Sequence, residues 1–265
     1  MPTTLKPAPM FQVAAVWASG MLVSLAMMSS AMAKEFSSQL RATDMIELYT
    51  SEGCSSCPRA DRWLSTLSHQ PDLFKNLIPM AFHVDYWDYI GWEDRFATPA
   101  YSQRQRQYVQ QGRARQTYTP QFISNGAEWR AWFSGDRTWS KNQKIVGVLK
   151  ASLPEHSQRL QVSFQAEKDP SVFSPKPLPD HYVLNIAILG MGLQSEVSAG
   201  ENAHRVLKHD FVVLQHQQKK VSAKAASWQL QRPTIPMRGQ TRSALVVWLS
   251  MPESQQVIQA TGGYL

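Results

Sequence analysis

Two cysteines, Cys54 and Cys57, are the residues whose type and spacing point most directly to chemistry. They are the only cysteines in 265 residues. A short apolar run at 45–49 precedes them, and residues 57–70 follow with apolar side chains at helical spacing. A Cys-x-x-Cys pair between a strand and the start of a helix is typical of thiol–disulfide exchange. The partial positive charge at the helix N-terminus would favour the thiolate form of Cys54.

Within this pair we expect Cys54 to be the attacking thiolate, because it should be more exposed, and Cys57 to be the resolving thiol. The thiolate would attack a partner, which is a protein or small-molecule disulfide, and Cys57 would then release the mixed disulfide. A structural bridge is the alternative, although closing a loop of about four residues removes little entropy from the unfolded chain. Half of a four-cysteine zinc site is excluded, because the sequence has no second cysteine pair.

Residues 1–33 have the pattern of a secretory signal peptide. Lys6 is followed by an uncharged apolar run at 11–28, and residues 31–33 form a small-x-small cleavage site. The pattern predicts a mature chain that starts at Lys34 and is periplasmic or secreted, where a disulfide persists. The apolar run is also long enough to be retained as a membrane anchor, and membrane contact is expected only in that case.

The composition excludes one broad class of function. The chain has 27 Lys and Arg against 20 Asp and Glu, a net charge of +7, and 43% of its residues are apolar. The charges are spread along the sequence, and no zinc-finger, helix-turn-helix or nucleotide-loop motif occurs. We therefore expect a globular protein that does not bind nucleic acid.

Hydrophobic patterning divides the mature chain near residue 156. The first part, 34–155, alternates strand and helix patterns, and its first two strands are expected to form a right-handed parallel pair around a crossover helix. The second part, 156–265, has strand-like runs without a long helix pattern, which predicts a β-sandwich. The expected elements of the first part are strands 45–49, 77–84, 118–123 and 128–133 and helices 57–70, 98–112 and 139–153.

The order β-α-β-α-β-β-α, with Cys-x-x-Cys at the first helix and Thr-Pro at the third strand, resembles the thioredoxin fold. The mature chain more closely resembles the secreted bacterial proteins grouped as domain-of-unknown-function family 1223. The matching segments are ELYTSEGCSSCP (47–58), HVDYWDYIGW (83–92), TYTPQ (117–121), and GEN with KHDFVV within 200–213. The resemblance implies export and a thioredoxin-like α/β domain ahead of the β-sandwich. It brings no established activity.

A thioredoxin-like site implies two more residues beside the cysteines. One is Pro120, for which we predict a cis bond with Thr119, so that the exposed backbone there binds an extended substrate. The other is Glu47, which we predict to be a buried acid beneath the cysteines that carries the proton of Cys57. A solvated glutamate at the strand end is the alternative for Glu47.

The insert 83–115 is the most unusual stretch of the first part. It holds several aromatic side chains and five arginines, among which we take four residues as candidate substrate contacts: Tyr86, Trp87, Trp92 and Arg104. Aromatic walls with a basic rim would suit an extended, partly acidic peptide or another anionic ligand. The alternative is that these aromatic side chains pack inward and fasten the two parts of the chain together.

Two other functions stay open beside a thiol–disulfide oxidoreductase, which needs no cofactor. Cys54, Cys57 and His83 could bind copper in the manner of a metallochaperone, because soft thiolates suit Cu(I). A histidine hydrogen-bonded in the core is the simpler interpretation of His83. The chain could also be a non-enzymatic binding protein whose disulfide is only structural.

Overall fold

A computed structural model of the chain describes residues 1–4, 33–169 and 179–265. The signal pattern expected at 1–33 therefore lies almost wholly outside the described residues. Within the described ranges, no helix combines the length and apolar character needed to cross a membrane.

The regular structure from residue 33 onward is mostly β-strand, and the strands range from two to eleven residues. Three 3₁₀ segments, Leu67–His69, Asp88–Ile90 and Arg130–Ser134, lie between the main elements. The main elements are β1 (Lys34–Ser37), β2 (Asp44–Thr50), α1 (Cys57–Thr66), β3 (Leu77–His83), α2 (Pro99–Gln110), β4 (Gln121–Ser124), β5 (Ala127–Glu128), β6 (Gly147–Leu153), β7 (Arg159–Ala166), β8 (His181–Met191), β9 (Leu193–Val197), β10 (Arg205–His209), β11 (Val212–Ser222), β12 (Ser227–Gln231), β13 (Arg242–Ser250) and β14 (Val257–Tyr264).

The largest sheet has eight strands in the order β14-β13-β8-β11-β3-β2-β4-β5. Helix α1 connects the parallel strands β2 and β3, as the sequence predicted. Strand β11 lies parallel to β3 through the Val212–Ala81 pair, and the Ala81 amide donates a 2.8 Å hydrogen bond to the carbonyl of Phe211. Smaller sheets contain β1-β6-β7-β12 and β10-β9.

The expected fold class, a thioredoxin-like α/β domain followed by a separate β-sandwich, is wrong. In the described part of the chain, fourteen strands form three sheets and there are only two α-helices. The eight-stranded sheet takes strands from both sides of residue 156. The physical reason lies in β3: all seven of its residues are buried, and β11 covers the strand edge that a separate domain would leave open.

The helix expected over 139–153 is also wrong. Strand β6 occupies the end of that range, with Leu149, Ala151 and Leu153 buried and Lys150 exposed. Apolar side chains in this stretch fit a period of two as well as they fit a helix, and pairing with β1 and β7 decides between them. The short strand and hairpin at Asn125-Gly126 are confirmed, but β5 is only two residues long and a 3₁₀ segment follows it.

Strand β2 separates two environments. Glu47 and Tyr49 point to one face of the sheet, because side chains two residues apart share a face. Thr50 points to the opposite face, and its partner in register on β3 is His83. Two sets of polar side chains therefore lie on opposite faces of the same strand.

Candidate functional site

Cys54 and Cys57 form a disulfide that spans the turn before helix α1. Their Cα atoms are 5.4 Å apart, and the Cys57 amide donates a 3.2 Å hydrogen bond to the carbonyl of Cys54. Cys54 is 1% exposed and Cys57 is fully buried, whereas Ser55 and Ser56 between them are exposed. Only the two serines between the cysteines are exposed to solvent. Cys54 is hardly more accessible than Cys57.

A turn from the second half of the chain covers this disulfide. Buried Asn202 donates hydrogen bonds to the carbonyls of Glu52 and Cys54, at 2.8 and 2.9 Å. The Ser55 amide donates to the Glu201 carboxylate at 2.9 Å, and Arg205 donates to the Asn202 side chain. We call residues 200–205 the covering turn. Its contacts go mainly to the backbone of the cysteine loop, so they hold the loop closed.

Two glycines allow the close packing around the disulfide. A Cβ at Gly53 would lie 3.0 Å from the Cβ of Trp87, and one at Gly200 would lie 2.9 Å from Ile90. Gly200 also has a φ of +75°, which favours glycine. The segment that carries Trp87 and Ile90 is therefore packed between the cysteine loop and the covering turn.

The Thr119–Pro120 bond is cis, as the sequence predicted. Pro120 is buried, and the Thr119 hydroxyl accepts a 2.7 Å hydrogen bond from the indole of Trp87. Because the same Trp87 packs on Gly53, the Thr119 segment and the cysteine loop are neighbours across one tryptophan.

Glu47 is buried, as predicted, but its partners belong to a separate group of side chains. The carboxylate accepts hydrogen bonds from Arg104 at 2.7 and 3.0 Å, and from the hydroxyls of Tyr49 and Tyr108 at 2.8 Å each. Burial lowers the pKa of Arg104, but Glu47 and the two tyrosines together outweigh it and hold that pKa well above its ordinary value. We call these four residues the paired cluster.

The other candidate contacts lie at different depths. Tyr86 and Trp92 are half-buried, with hydrogen bonds to Gln105 and to the Glu52 carboxylate. Arg104 is buried in the paired cluster, so it does not stand on a basic rim. The structure brings Trp87, Trp92 and Thr119 to the surroundings of the disulfide and places Arg104 and Glu47 in the paired cluster.

Sequence reasoning missed a second polar group, which lies beside the cysteine loop. We call it the histidine cluster, and all of its side chains are at least nine-tenths buried: Glu52, Asp61, His83, Asp94 and His209. Asp61 follows Cys57 by four residues on α1 and so lies on the same helix face. That helical spacing is the signal that could have revealed Asp61.

Contacts within the histidine cluster join distant parts of the chain. Asp94 Oδ2 lies 2.7 Å from His83 Nδ1 and accepts a 2.9 Å hydrogen bond from the Glu52 amide. His209 Nε2 lies 3.2 Å from Glu52 Oε1, and His209 Nδ1 lies 4.0 Å from Asp61 Oδ2. The two imidazole rings meet edge to face, with centroids 5.0 Å apart.

Burial and neighbouring charges shift the pKa values of this cluster in different directions. Burial works against a charged His83, but the Asp94 charge and hydrogen bond overcome it and raise the pKa of His83 to about 9. The pKa of Asp94 is lowered in return, against its own burial. Asp61 differs, because burial dominates there and raises its pKa.

Comparison with protein families identifies the chain. The sequence profile described as "Protein of unknown function (DUF1223)" matches residues 45–250, most of the chain. The chain belongs to this family. The DUF1223 match includes both cysteines, the covering turn and every member of the histidine cluster. A search of curated proteins found no match.

Two solved structures resemble this DUF1223 chain in fold. The crystal structure of protein AGR_C_4864 from Agrobacterium tumefaciens is 20% identical, with a TM-score of 0.54, and the match covers 84% of this chain and 95% of that one. HBP35 of Porphyromonas gingivalis is 11% identical, with a TM-score of 0.50, and the match covers 86% of this chain and 76% of that one. At these identities the resemblance concerns the fold alone.

Proposed function

We propose that the chain is an exported thiol–disulfide exchange protein that reacts through the Cys54–Cys57 disulfide. The observation that carries the proposal is the position of this disulfide at the start of α1. Ser56, the N-cap residue, makes no side-chain cap, and the first turn holds no acidic residue. The helix dipole and unpaired N–H groups stabilise negative charge there, so a thiolate released by reduction is favoured.

The exchange begins when the thiolate of a partner attacks the Sγ of Cys54. A sulfur–sulfur bond forms between partner and Cys54, the Cys54–Cys57 bond breaks, and Cys57 Sγ leaves with the electron pair and takes up a proton. A second partner thiolate then displaces Cys54, which yields an oxidised partner and a reduced pair. The opposite direction begins with Cys54 thiolate and a partner disulfide.

Both cysteines are buried, so the exchange we propose requires the cysteine loop to open, and the covering turn holds that loop. Its direct contacts to the cysteine loop include three hydrogen bonds to backbone groups, two from Asn202 and one to Glu201. In the opened state, Trp87 and Thr119 border the cysteine loop and are the proposed contacts for an extended partner. Opening of the turn would then control which partners reach the disulfide.

The experiment that tests the proposal is trapping of a mixed disulfide. The Cys57→Ser variant retains the attacking thiol without the resolving thiol, and Cys54→Ser is its matched control. After incubation with oxidised glutathione, mass spectrometry is expected to find the adduct at higher yield on Cys57→Ser. The wild-type pair is expected to be reduced reversibly across a series of glutathione buffers.

Burial of both cysteines favours a second candidate, a binding protein whose disulfide is structural. That function predicts a wild-type disulfide that excess dithiothreitol does not reduce unless the protein is unfolded. It also predicts no glutathione adduct on either variant. Observation of both results would exclude the exchange function.

A further inference from the structure

The histidine cluster holds polar atoms that no hydrogen bond satisfies. Within the described residues these include Nε2 of His83 and Nδ1 of His209. Nε2 of His209 and Oε1 of Glu52 lack a well-directed hydrogen bond, although they lie 3.2 Å apart as an ion pair. All three side chains are at least 98% buried. Buried polar atoms without partners are costly to a fold, and several in one place indicate that something else pairs with them.

We propose that Asp61, His83 and His209 bind a divalent transition-metal cation of the zinc type. One ligand atom from each residue lies within 4.8 Å of the others, and this trio is the one group of its kind in the part of the chain that the structure describes. A cation about 2.0–2.2 Å from each atom would require ligand atoms about 3.3 Å apart in a tetrahedral site. The ligand atoms would therefore have to move closer together when the cation binds.

The outer contacts orient both imidazoles for coordination. Asp94 accepts from Nδ1 of His83, which leaves the lone pair on the unpartnered Nε2. The Glu52 carboxylate lies 3.2 Å from Nε2 of His209. The other ring nitrogen of His209, Nδ1, faces Asp61 and remains available to bind a cation. A carboxylate behind each metal-bound histidine is the usual arrangement around zinc, because it fixes the tautomer and raises ligand basicity.

Charge favours a cation as well. The cluster contains three buried carboxylates, on Glu52, Asp61 and Asp94, and the ion pairs they make within the described ranges go to the two histidines. Cation binding displaces any proton on the coordinating imidazole nitrogens, and the carboxylates then supply negative charge that a divalent cation compensates. Two imidazoles and one carboxylate suit zinc and neighbouring first-row metals rather than calcium or magnesium.

This site is different from a copper site made by the two cysteines and His83. Neither cysteine belongs to the trio, so binding does not require reduced thiols. The site would join α1, β3 and β10, which come from both halves of the chain. A bound cation would therefore hold together the elements that support the cysteine loop and the covering turn.

The test uses the full mature protein without an affinity tag and with its disulfide intact, so that thiolates cannot bind metal. After removal of metal with a chelator, equilibrium dialysis against Zn²⁺ is expected to give one tightly bound zinc per chain and a higher melting temperature. His209→Gln and Asp61→Asn are expected to abolish that binding. Asp94→Asn, which removes the negative charge behind His83 but keeps one side-chain oxygen acceptor, is expected to weaken binding about 10- to 100-fold.

His216→Gln is the matched control, because His216 is a largely buried histidine that contacts Asn185 outside the cluster. It is expected to bind zinc as the wild type does. X-ray absorption of the zinc-loaded wild type is expected to show nitrogen and oxygen ligands with imidazole scattering, and this measurement does not depend on whether any variant folds. If the oxidised wild type retains no zinc, or Asp61→Asn and His209→Gln retain it fully, the proposal is wrong. A protonated His83 would then account for the cluster.

Discussion

Two buried ionic clusters lie on opposite faces of strand β2, and they differ in how their charges are paired. In the paired cluster, both oxygens of Glu47 accept hydrogen bonds from Arg104 and two tyrosines. In the histidine cluster, Nε2 of His83 and Nδ1 of His209 have no hydrogen-bond partner. Complete pairing is what a stabilising interaction needs, whereas unpaired buried atoms leave coordination sites for a ligand.

Breaking the paired cluster is expected to give the largest loss of stability. Arg104→Met leaves the Glu47 carboxylate buried without its ion-pair partner, so we expect a loss of about 3–5 kcal/mol in the free energy of unfolding. Urea denaturation measures it, with Arg106→Met, an exposed position on the same helix, as the control. If Arg104→Met costs no more than Arg106→Met, the ion pair is not stabilising and the comparison fails.

Glu47→Gln tests whether Glu47 serves the stability of the fold or the proposed disulfide exchange. The variant is expected to lose about as much stability as Arg104→Met and to exchange disulfides at an unchanged rate at each pH. A changed pH profile of the exchange rate would instead support Glu47 as the carrier of the Cys57 proton.

The histidine cluster is expected to matter less to the metal-free fold. In chelator, His209→Gln removes a side chain whose contacts are already incomplete, so the loss should be about 1–3 kcal/mol. With saturating zinc, the gap between wild type and variant should widen. A gap that is the same with and without zinc would show that both clusters serve stability alone.

Asn202→Ala tests the covering turn that connects the histidine cluster to the disulfide. It removes two hydrogen bonds to backbone carbonyls, and opening that becomes easier by about 1.4 kcal/mol would speed reduction by dithiothreitol about tenfold. Glu201→Ala removes one exposed contact and should change the rate less. Equal rates in all three proteins would mean that the turn does not limit access.

The last prediction concerns His216, which lies outside both clusters. Burial and nearby Arg104 lower the pKa of His216 to about 3. The unfolded chain therefore binds more protons than the folded one between pH 6.5 and 3, and stability falls as the pH drops through that window. At pH 5.5 this amounts to about 1.4 kcal/mol. Urea denaturation at pH 7.5 and 5.5 should show a smaller acid-induced loss in His216→Gln, and parallel losses would refute the assignment.

Local patterns predicted much of the structure around the disulfide. The apolar run before Cys54 became β2, the residues after Cys57 became α1, and Thr98 caps α2 through a hydrogen bond to Ala100. Each depends on neighbours within a few residues, which is the range over which propensity and capping act.

Long-range pairing could not be predicted in the same way. The sheet is continuous because Val212 pairs with Ala81, and no local signal in either segment specifies that partner. The histidine cluster lies beside the same join, since His209 precedes Val212 by three residues and His83 follows Ala81 by two. A buried His83 was foreseen as a core residue, but its partners Asp94 and His209 were not.

The covering turn also sets an order of events during synthesis. Glu201 follows the residue it contacts, Ser55, by 146 positions. At about 5–20 residues per second, the ribosome adds that length in about 7–30 s. The cysteines are therefore made well before the covering turn exists. Oxidation before the covering turn folds would need no opening of the turn, whereas the proposed exchange in the folded protein would.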